Sequence, residues 1–260
     1  MQNHHLVASD FDQTLSFNDS GIVLNEILGL KGFEEKVRGL ASQSFVQQGA
    51  ELTYLLRHDP EYRKVRREHL VEAGKRVRLK HNVKQLPWLL ETLSSDEHRF
   101  SFYVISAAPE EVVQSALEGI VDRDHIFGTR LVYDGSGEVQ AVVNCPAGYG
   151  KVAVLSDLQA QLGVGKSHVI YMGDGSSDIH VMLHVAHMGG LPIAVSKNRY
   201  ITHVASRTVL SDDMLGMWIP VFEEVMGWDA SRIQQLLESR GLLIQEWDKV
   251  QSDTVVIRAA

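Results

Sequence analysis

The sequence predicts an α/β fold in which a mostly parallel sheet carries helices on both faces. Apolar runs at residues 6–9, 100–105 and 169–172 have the length and content of buried strands. Stretches with helical spacing separate these runs along the chain. Strands that alternate with helices form parallel sheets that are covered on both sides, and ligands then bind beyond the carboxyl ends of the strands.

Composition limits the classes of protein to consider. The 260 residues are sufficient for one large domain with an insertion or for two small domains, and 44% of them are hydrophobic. The formal net charge of −8 argues against nucleic-acid binding, which usually needs a basic face. Cys145 is the only cysteine, which excludes an intrachain disulfide and favours a reducing compartment. We see neither a signal-peptide pattern nor a run near the roughly 20 apolar residues of a membrane span, so we expect a cytoplasmic protein without membrane contact.

The first strand is expected to end near Ser9, and a helical pattern follows it. We predict an all-helical cap domain over residues 17–77, inserted into a core domain of residues 1–16 and 78–215. Asp59 before Pro60 is typical of a helix N-cap, which predicts a helix through about Lys75. Other apolar residues at helical spacing in the cap are Ile22, Ile27, Leu28, Phe45, Leu52, Leu55 and Leu56.

The remaining elements of the core follow in order. A helix is expected over residues 81–93, and a hairpin around residues 134–137, where Asp-Gly-Ser-Gly separates two β-like runs. Strands at 169–172 and 192–195 flank a helix at 179–185. Residues 216–260 are expected to form a helical extension of the core that contains Trp218, Trp228 and Trp247.

Two carboxylates come directly after the first strand. Side chains alternate along a strand, so Asp10 and Asp12 would share one face, close enough for one divalent cation. One could then attack a substrate while the other handles a proton. Taken alone, this Asp-x-Asp-x-Thr pattern fits a turn or a helix cap equally well.

Further polar residues follow the other strands in a meaningful order. Ser106 ends the second run, Lys151 begins a helical pattern, and Asp174 and Asp178 follow the strand at 169–172. With Asp-x-Asp-x-Thr, these four motifs resemble the haloacid dehalogenase superfamily of phosphatases, over roughly residues 5–210. The long helical stretch after the first motif is most similar to the phosphoserine phosphatase branch. The resemblance implies a Rossmann-like core, a helical cap and Mg²⁺ as cofactor.

The resemblance also implies roles for the acidic residues. Asp10 would be the nucleophile and form an aspartyl-phosphate, and Asp12 the general acid and base. Mg²⁺ would be held by Asp10, Asp174 and the backbone carbonyl of Asp12. Asp178 would be a further ligand or would hold metal-bound water; alternatively it is an acid favoured at a helix N-terminus.

Ser106, the backbone at Ala107 and Lys151 would bind the phosphoryl oxygens. For Ser106 the alternative is an N-cap of a helix over residues 109–117, and for Lys151 a solvated surface position. The related enzymes commonly have glycines after this serine, whereas Ala107 and Ala108 follow here, so the loop would approach a ligand less closely.

Substrate selection is expected to lie in the cap. Aligned with phosphoserine phosphatases, Phe45 matches a family phenylalanine, Leu52 replaces an arginine that binds the substrate carboxylate, and Asp19 replaces a glutamate that reads the amine. We therefore expect phosphoserine to be a poor substrate and an ester with an amine or hydroxyls to be preferred. Alternatively, Leu52 is cap core, Asp19 is an N-cap, and Arg57 supplies the missing arginine.

These inferences predict a Mg²⁺-dependent phosphatase that acts on a small-molecule phosphate ester through an aspartyl-phosphate. The alternatives are a phosphoserine phosphatase proper, a sugar-enol phosphatase, or a catalytically weak phosphometabolite-binding protein. The histidines at 180, 184 and 187 have helical spacing, which indicates a helix face more often than a zinc site. The sequence does not predict the oligomeric state.

Overall fold

A computed structural model describes residues 2–42, 46–95, 97–196 and 199–242. The strands are β1 Asn3–Ser9, β2 His98–Pro109, β3 Ile126–Tyr133, β4 Val139–Asn144, β5 Val169–Gly173, β6 Leu191–Ala194 and β7 Arg207–Thr208. They form one sheet in the order β4-β3-β2-β1-β5-β6-β7. The pair β3 and β4 is antiparallel and the other neighbours are parallel, which confirms the predicted fold class and hairpin.

Helices connect the strands and cover both faces of the sheet. In the described residues they are α1 Ser20–Leu28, α2 Phe33–Ser42, α3 Glu51–His58, α4 Arg67–Arg76, α5 Leu86–Leu93, α6 Glu110–Ala116, α7 Tyr149–Leu162, α8 Ile179–His187, α9 Arg199–Thr202, α10 Met214–Met217, α11 Ile219–Glu224 and α12 Ala230–Glu238. Helices α1 to α4 lie between β1 and β2, where the cap was predicted. The predicted domain boundaries themselves stay a prediction.

The register of the central strands brings the predicted motifs to one edge of the sheet. Ser9 of β1 pairs with Val104 of β2 on one side and with Met172 of β5 on the other. The motif residues that follow these positions therefore lie at the same end of the three strands. Leu6, Val7 and Ala8 are fully buried, because helices cover both faces of this strand.

Two predicted helices are wrong in their extent. Asp59 does cap a helical turn, since its carboxylate accepts a hydrogen bond from the Glu61 amide, but this 3₁₀ turn ends at Lys64. Val65 is extended and fully buried, and α4 starts two residues later. Burial of this β-branched side chain overrides the helical pattern. Likewise, residues 81–93 begin with a 3₁₀ turn at Val83–Gln85, and α5 forms only the second part.

The cap and the C-terminal segment both pack on the core. Gly74 of α4 lies so close to α6 that a β-carbon there would be 2.3 Å from the carbonyl oxygen of Val112. Trp218 is fully buried against Phe102 of β2, so the start of the predicted extension belongs to the hydrophobic core. Trp247 and the rest of residues 243–260 lie outside the described residues.

Among the helices that the structure describes, none has both the length and the apolar character that a membrane crossing needs.

Candidate active site

Asp10 leaves the sheet at the end of β1 and meets a buried lysine. Its amide still donates to the carbonyl of Met172 at 2.9 Å, so the backbone position is fixed by β5. One carboxylate oxygen accepts from the Phe11 amide at 2.6 Å, and the other lies 2.7 Å from Nζ of Lys151. Lys151, in the first turn of α7, is fully buried, which is the opposite of the solvated alternative.

Lys151 also pairs with a second carboxylate, that of Asp178, at 2.6 Å. Burial opposes the charge of Lys151, but Asp10 and Asp178 outweigh it and raise the pKa of the lysine above its ordinary value. Asp178 further accepts from the hydroxyl of Tyr171 at 2.7 Å and from the amide of Gly175 at 3.2 Å. A network of donors therefore fixes the position of the Asp178 carboxylate.

Sequence reasoning missed Tyr171, which lies within the apolar run of β5 and is fully buried. Gly173 makes room for the same carboxylate, because a β-carbon there would be 2.5 Å from Cγ of Asp178. A single polar side chain in an otherwise apolar strand is the signal that could have indicated Tyr171. Its partner could not be read from the sequence.

Asp10, Asp174 and Asp178 form a cluster that suits a hard divalent cation. Each offers a carboxylate oxygen, and these oxygens lie within 4.8 Å of one another. Burial, together with the neighbouring carboxylates, raises the pKa of Asp10 to about 6 and that of Asp174 to about 8. Thr14 orients Asp174 through a 3.1 Å hydrogen bond. Oxygen donors of this kind are those that Mg²⁺ prefers, and a cation would relieve their mutual repulsion.

Asp12 is tied to the cap by its side chain. Its carboxylate accepts from the amide of Ser20 at 2.9 Å and from the hydroxyl of Ser20 at 2.7 Å. Burial and the nearby charge of Asp19 raise the pKa of Asp12 well above its ordinary value. A raised pKa favours the protonated carboxyl group, which is the form that a general acid needs. Sequence reasoning did not identify Ser20.

Ser106 and Ala107 lie in the last part of β2, where hydrogen bonds fix both residues. The Ser106 hydroxyl is buried and accepts from the amide of Ala108 at 3.2 Å. The carbonyl of Ala107 accepts from the hydroxyl of Thr129 on β3 at 2.7 Å. The N-cap of α6 is Pro109, so the alternative that Ser106 caps this helix is wrong.

In the cap, Asp19 is the N-cap of α1 and accepts from the amides of Gly21 and Ile22 at 2.7 and 3.3 Å. Leu52 is buried in the hydrophobic cluster that cap and core share. Both structural alternatives are thus confirmed, and substrate contacts of these residues stay predictions. Phe45 lies outside the described residues. Glu51 is a further buried cap carboxylate, and burial together with nearby Asp19 raises its pKa.

Gln47 and Gly49 place the cap directly on the loops of the core. Gly49 has φ +92°, and a β-carbon there would lie 2.9 Å from Cβ of Ser177 and 3.6 Å from Cβ of Ala107. A β-carbon at Gly148 would be 2.1 Å from Nε2 of Gln47. The segment therefore contacts the last part of β2 and the segments that follow β4 and β5.

The sheet, the order of its motifs and the buried acid–lysine cluster together define a hydrolase site. The chain belongs to the haloacid dehalogenase-like hydrolases, whose family profile matches residues 7–183. This confirms the resemblance found in the four sequence motifs.

One curated relative and several solved structures are similar to the chain. It is 29% identical over 127 residues to mouse (Mus musculus) "Pyridoxal phosphate phosphatase PHOSPHO2", an alignment that covers 42% of this chain. That alignment spans about half of the relative, 53% of its length.

The solved structures resemble the chain in fold. A phosphoserine phosphatase with a phospho-aspartyl intermediate analogue has a TM-score of 0.65 at 19% identity, covering 82% of this chain and 96% of that one. Phosphoserine phosphatase in its apo form gives 0.63 at 20% identity, covering 87% and 99%. A gene product of Archaeoglobus fulgidus gives 0.67 at 15% identity, covering 93% and 88%.

Proposed function

We propose that the protein is a Mg²⁺-dependent phosphatase that hydrolyses the phosphate monoester of a small metabolite. The observation that carries this proposal is the position of Asp10. Its carboxylate lies at the exit of the central strand, 2.7 Å from a buried lysine and within a cluster of acidic oxygens. Such a group is activated for attack while its charge is balanced.

Asp10, Asp174, Asp178 and the backbone carbonyl of Asp12 would hold the cation. When bound, Mg²⁺ neutralises negative charge on the phosphoryl oxygens and orients the ester. Lys151 and the Ser106 hydroxyl add positive charge and a hydrogen bond at the same oxygens. Asp178 keeps Lys151 in place through their 2.6 Å ion pair.

The reaction proceeds in two displacements at phosphorus. The carboxylate of Asp10 attacks phosphorus, the bond from phosphorus to the ester oxygen breaks, and the proton of Asp12 goes to that oxygen. Asp12 then takes a proton from water, which attacks the aspartyl-phosphate. The bond from phosphorus to the Asp10 oxygen breaks and inorganic phosphate leaves. The raised pKa of Asp12 supports this role as acid.

We propose further that the substrate carries hydroxyls or an amine and no carboxylate beside Leu52. An apolar, buried Leu52 offers no partner to a carboxylate, which would then lie unpaired at a cost of several kcal/mol. The name of the mouse relative, a pyridoxal phosphate phosphatase, agrees with a substrate without that group. This argues against phosphoserine as the main substrate.

A panel of phosphate esters assayed with and without Mg²⁺ tests the proposal. We expect hydrolysis that chelator abolishes, and a loss of several orders of magnitude in Asp10→Asn. Phosphoserine should give a lower kcat/KM than phosphoethanolamine and sugar phosphates. Asp157→Asn, a carboxylate on α7 remote from the motifs, is the matched control and should retain activity. Full activity in chelator, or in Asp10→Asn, would contradict the proposal.

A further inference from the structure

The hydroxyl of Tyr171 is a buried polar group that takes no part in the proposed transfer of the phosphoryl group. Tyr171 lies in β5 and is fully buried, and its hydroxyl donates to Oδ1 of Asp178 at 2.7 Å. The same oxygen accepts from Nζ of Lys151 at 2.6 Å. Burying a hydroxyl is costly unless it has a hydrogen-bond partner, and a phenylalanine at this position would avoid that cost. Core packing alone therefore does not account for a tyrosine here.

The backbone of β5 places this tyrosine and the carboxylate on one face of the sheet. Tyr171 and Gly173 are two residues apart in the strand, so they face the same side. A β-carbon at Gly173 would lie 2.5 Å from Cγ of Asp178, so the carboxylate lies against this glycine. One strand thus supplies both the space for Asp178 and a donor to it.

The donors are divided unequally between the two oxygens of Asp178. Oδ1 accepts from Lys151 and Tyr171 at 2.6 and 2.7 Å, whereas Oδ2 accepts from the amide of Gly175 at 3.2 Å. With two short hydrogen bonds Oδ1 has little capacity left, and Oδ2 keeps lone pairs for a cation. The hydroxyl of Tyr171 therefore helps to fix which oxygen is offered to the metal.

Lys151 is shared between two carboxylates, and Tyr171 affects how it is shared. Nζ lies 2.7 Å from Asp10 and 2.6 Å from Asp178. The hydrogen bond from Tyr171 compensates part of the negative charge on Oδ1, so that oxygen attracts the ammonium less strongly. The ammonium then stays available to Asp10, the proposed nucleophile.

We propose that Tyr171 is a positioning residue of the active site, which holds Asp178 so that it binds Mg²⁺ through Oδ2 while Lys151 remains in contact with Asp10. The inference rests on the proposed phosphatase function and adds to it a residue that acts through Asp178.

Calorimetric titration of Mg²⁺ into the protein, without an ester, tests the inference. Tyr171→Phe removes only the hydroxyl, and it should raise the Kd for Mg²⁺ about tenfold, as the loss of a donor to a ligating carboxylate does. Tyr62→Phe is the matched control, because Tyr62 is also buried and its hydroxyl donates at 2.8 Å to Asn25 within the cap. This control should leave the Kd unchanged. An unchanged Kd in Tyr171→Phe, or an equal increase in both variants, would overturn the inference.

Kinetics distinguish positioning from a general loss of structure. At saturating ester, the Mg²⁺ concentration that gives half of the maximal rate does not depend on the fraction of folded protein, and it should rise about tenfold in Tyr171→Phe. A lower kcat with no change in that concentration would mean a structural role only and would overturn the inference. Gly173→Ala displaces the same carboxylate by contact and should also raise the Kd for Mg²⁺, so it decides the question if Tyr171→Phe does not fold.

The titration also separates this inference from the proposed function. Weaker Mg²⁺ binding in Tyr171→Phe alone, in a protein that hydrolyses no ester, would support the positioning role and contradict the phosphatase. Mg²⁺-dependent hydrolysis with equal Kd values in the parent and in Tyr171→Phe would retain the phosphatase and reject the positioning role. No binding of Mg²⁺ by the parent would overturn both.

Discussion

Replacing Lys151 by methionine should destabilise the protein strongly when no divalent cation is present. Lys151 is fully buried, and its ammonium lies 2.7 Å from Asp10 and 2.6 Å from Asp178. Methionine fills a similar volume, so the packing of α7 is retained while the charge is lost. Two carboxylates then remain buried beside one another without their cation.

The size of the effect follows from the cost of an uncompensated buried charge. Removing one partner of a buried ion pair costs about 3–5 kcal/mol. Asp10 can take up a proton to limit this cost, so we expect the lower end, about 3 kcal/mol. For a protein of this size that corresponds to a fall in Tm of about 6–12 °C.

Thermal unfolding in chelator measures this change. A second substitution, Asp178→Asn, removes one of the stranded charges, so Lys151→Met/Asp178→Asn should regain about half of the lost Tm while phosphatase activity stays low. Saturating Mg²⁺ should raise the Tm of Lys151→Met at least as much as that of the parent. A fall in Tm below 2 °C, or a double variant less stable than Lys151→Met, would refute the reasoning.

Three further substitutions test other contacts of the site. Gly49→Ala should lower kcat/KM about tenfold, because an alanine with positive φ and a 2.9 Å contact with Ser177 displace the cap from the core. The control is Gly163→Ala, where φ is +63° but the space around the β-carbon is open, and it should retain activity. Equal losses in the two variants would mean that backbone strain alone causes the effect. Ser20→Ala should lower kcat about fivefold with little change in KM, since it removes the 2.7 Å hydroxyl bond to Asp12, the proposed general acid; a change confined to KM would contradict this. Burial and the neighbouring rings of His168 and His98 lower the pKa of His5 to about 4. The free energy of unfolding should therefore fall by about 3 kcal/mol as the pH drops from 6.5 toward 4. Urea unfolding of His5→Phe should show a flatter dependence on pH than the parent protein, and a profile parallel to that of the parent would exclude His5 as the cause.

The sequence was sufficient for the parts of the site that depend on local order along the chain. Asp10, Asp12 and Asp174 follow apolar strands directly, and parallel strands bring such residues to one edge. Contacts between distant segments had no such signal. In the sequence, Tyr171 resembles the other core residues of its strand, and only the structure shows that its hydroxyl donates to Asp178. Ser20 resembles a residue at the start of a helix, and only the structure shows that its hydroxyl donates to Asp12.

The errors in the helices have the same origin. Asp59 and Pro60 correctly marked a helical turn, but its end was set by Val65, which is drawn into the core by contacts that the local pattern does not contain. The role of Gly49 could not be predicted from the sequence either. It lacks a side chain at a point where cap and core are in contact, and that contact is visible only in the structure.

The close approach of α4 to α6 at Gly74 has a consequence for how this enzyme can be altered. Helix α4, the last helix of the cap, packs on α6 of the core through direct backbone proximity. Gln47 and Gln48 lie in another segment of the cap, before α3, and both are exposed. Surface positions of this kind tolerate exchange within about 0.5 kcal/mol. Substitutions at this short, exposed segment can therefore accumulate, by evolution or in a library of variants, without rebuilding the helix packing at Gly74.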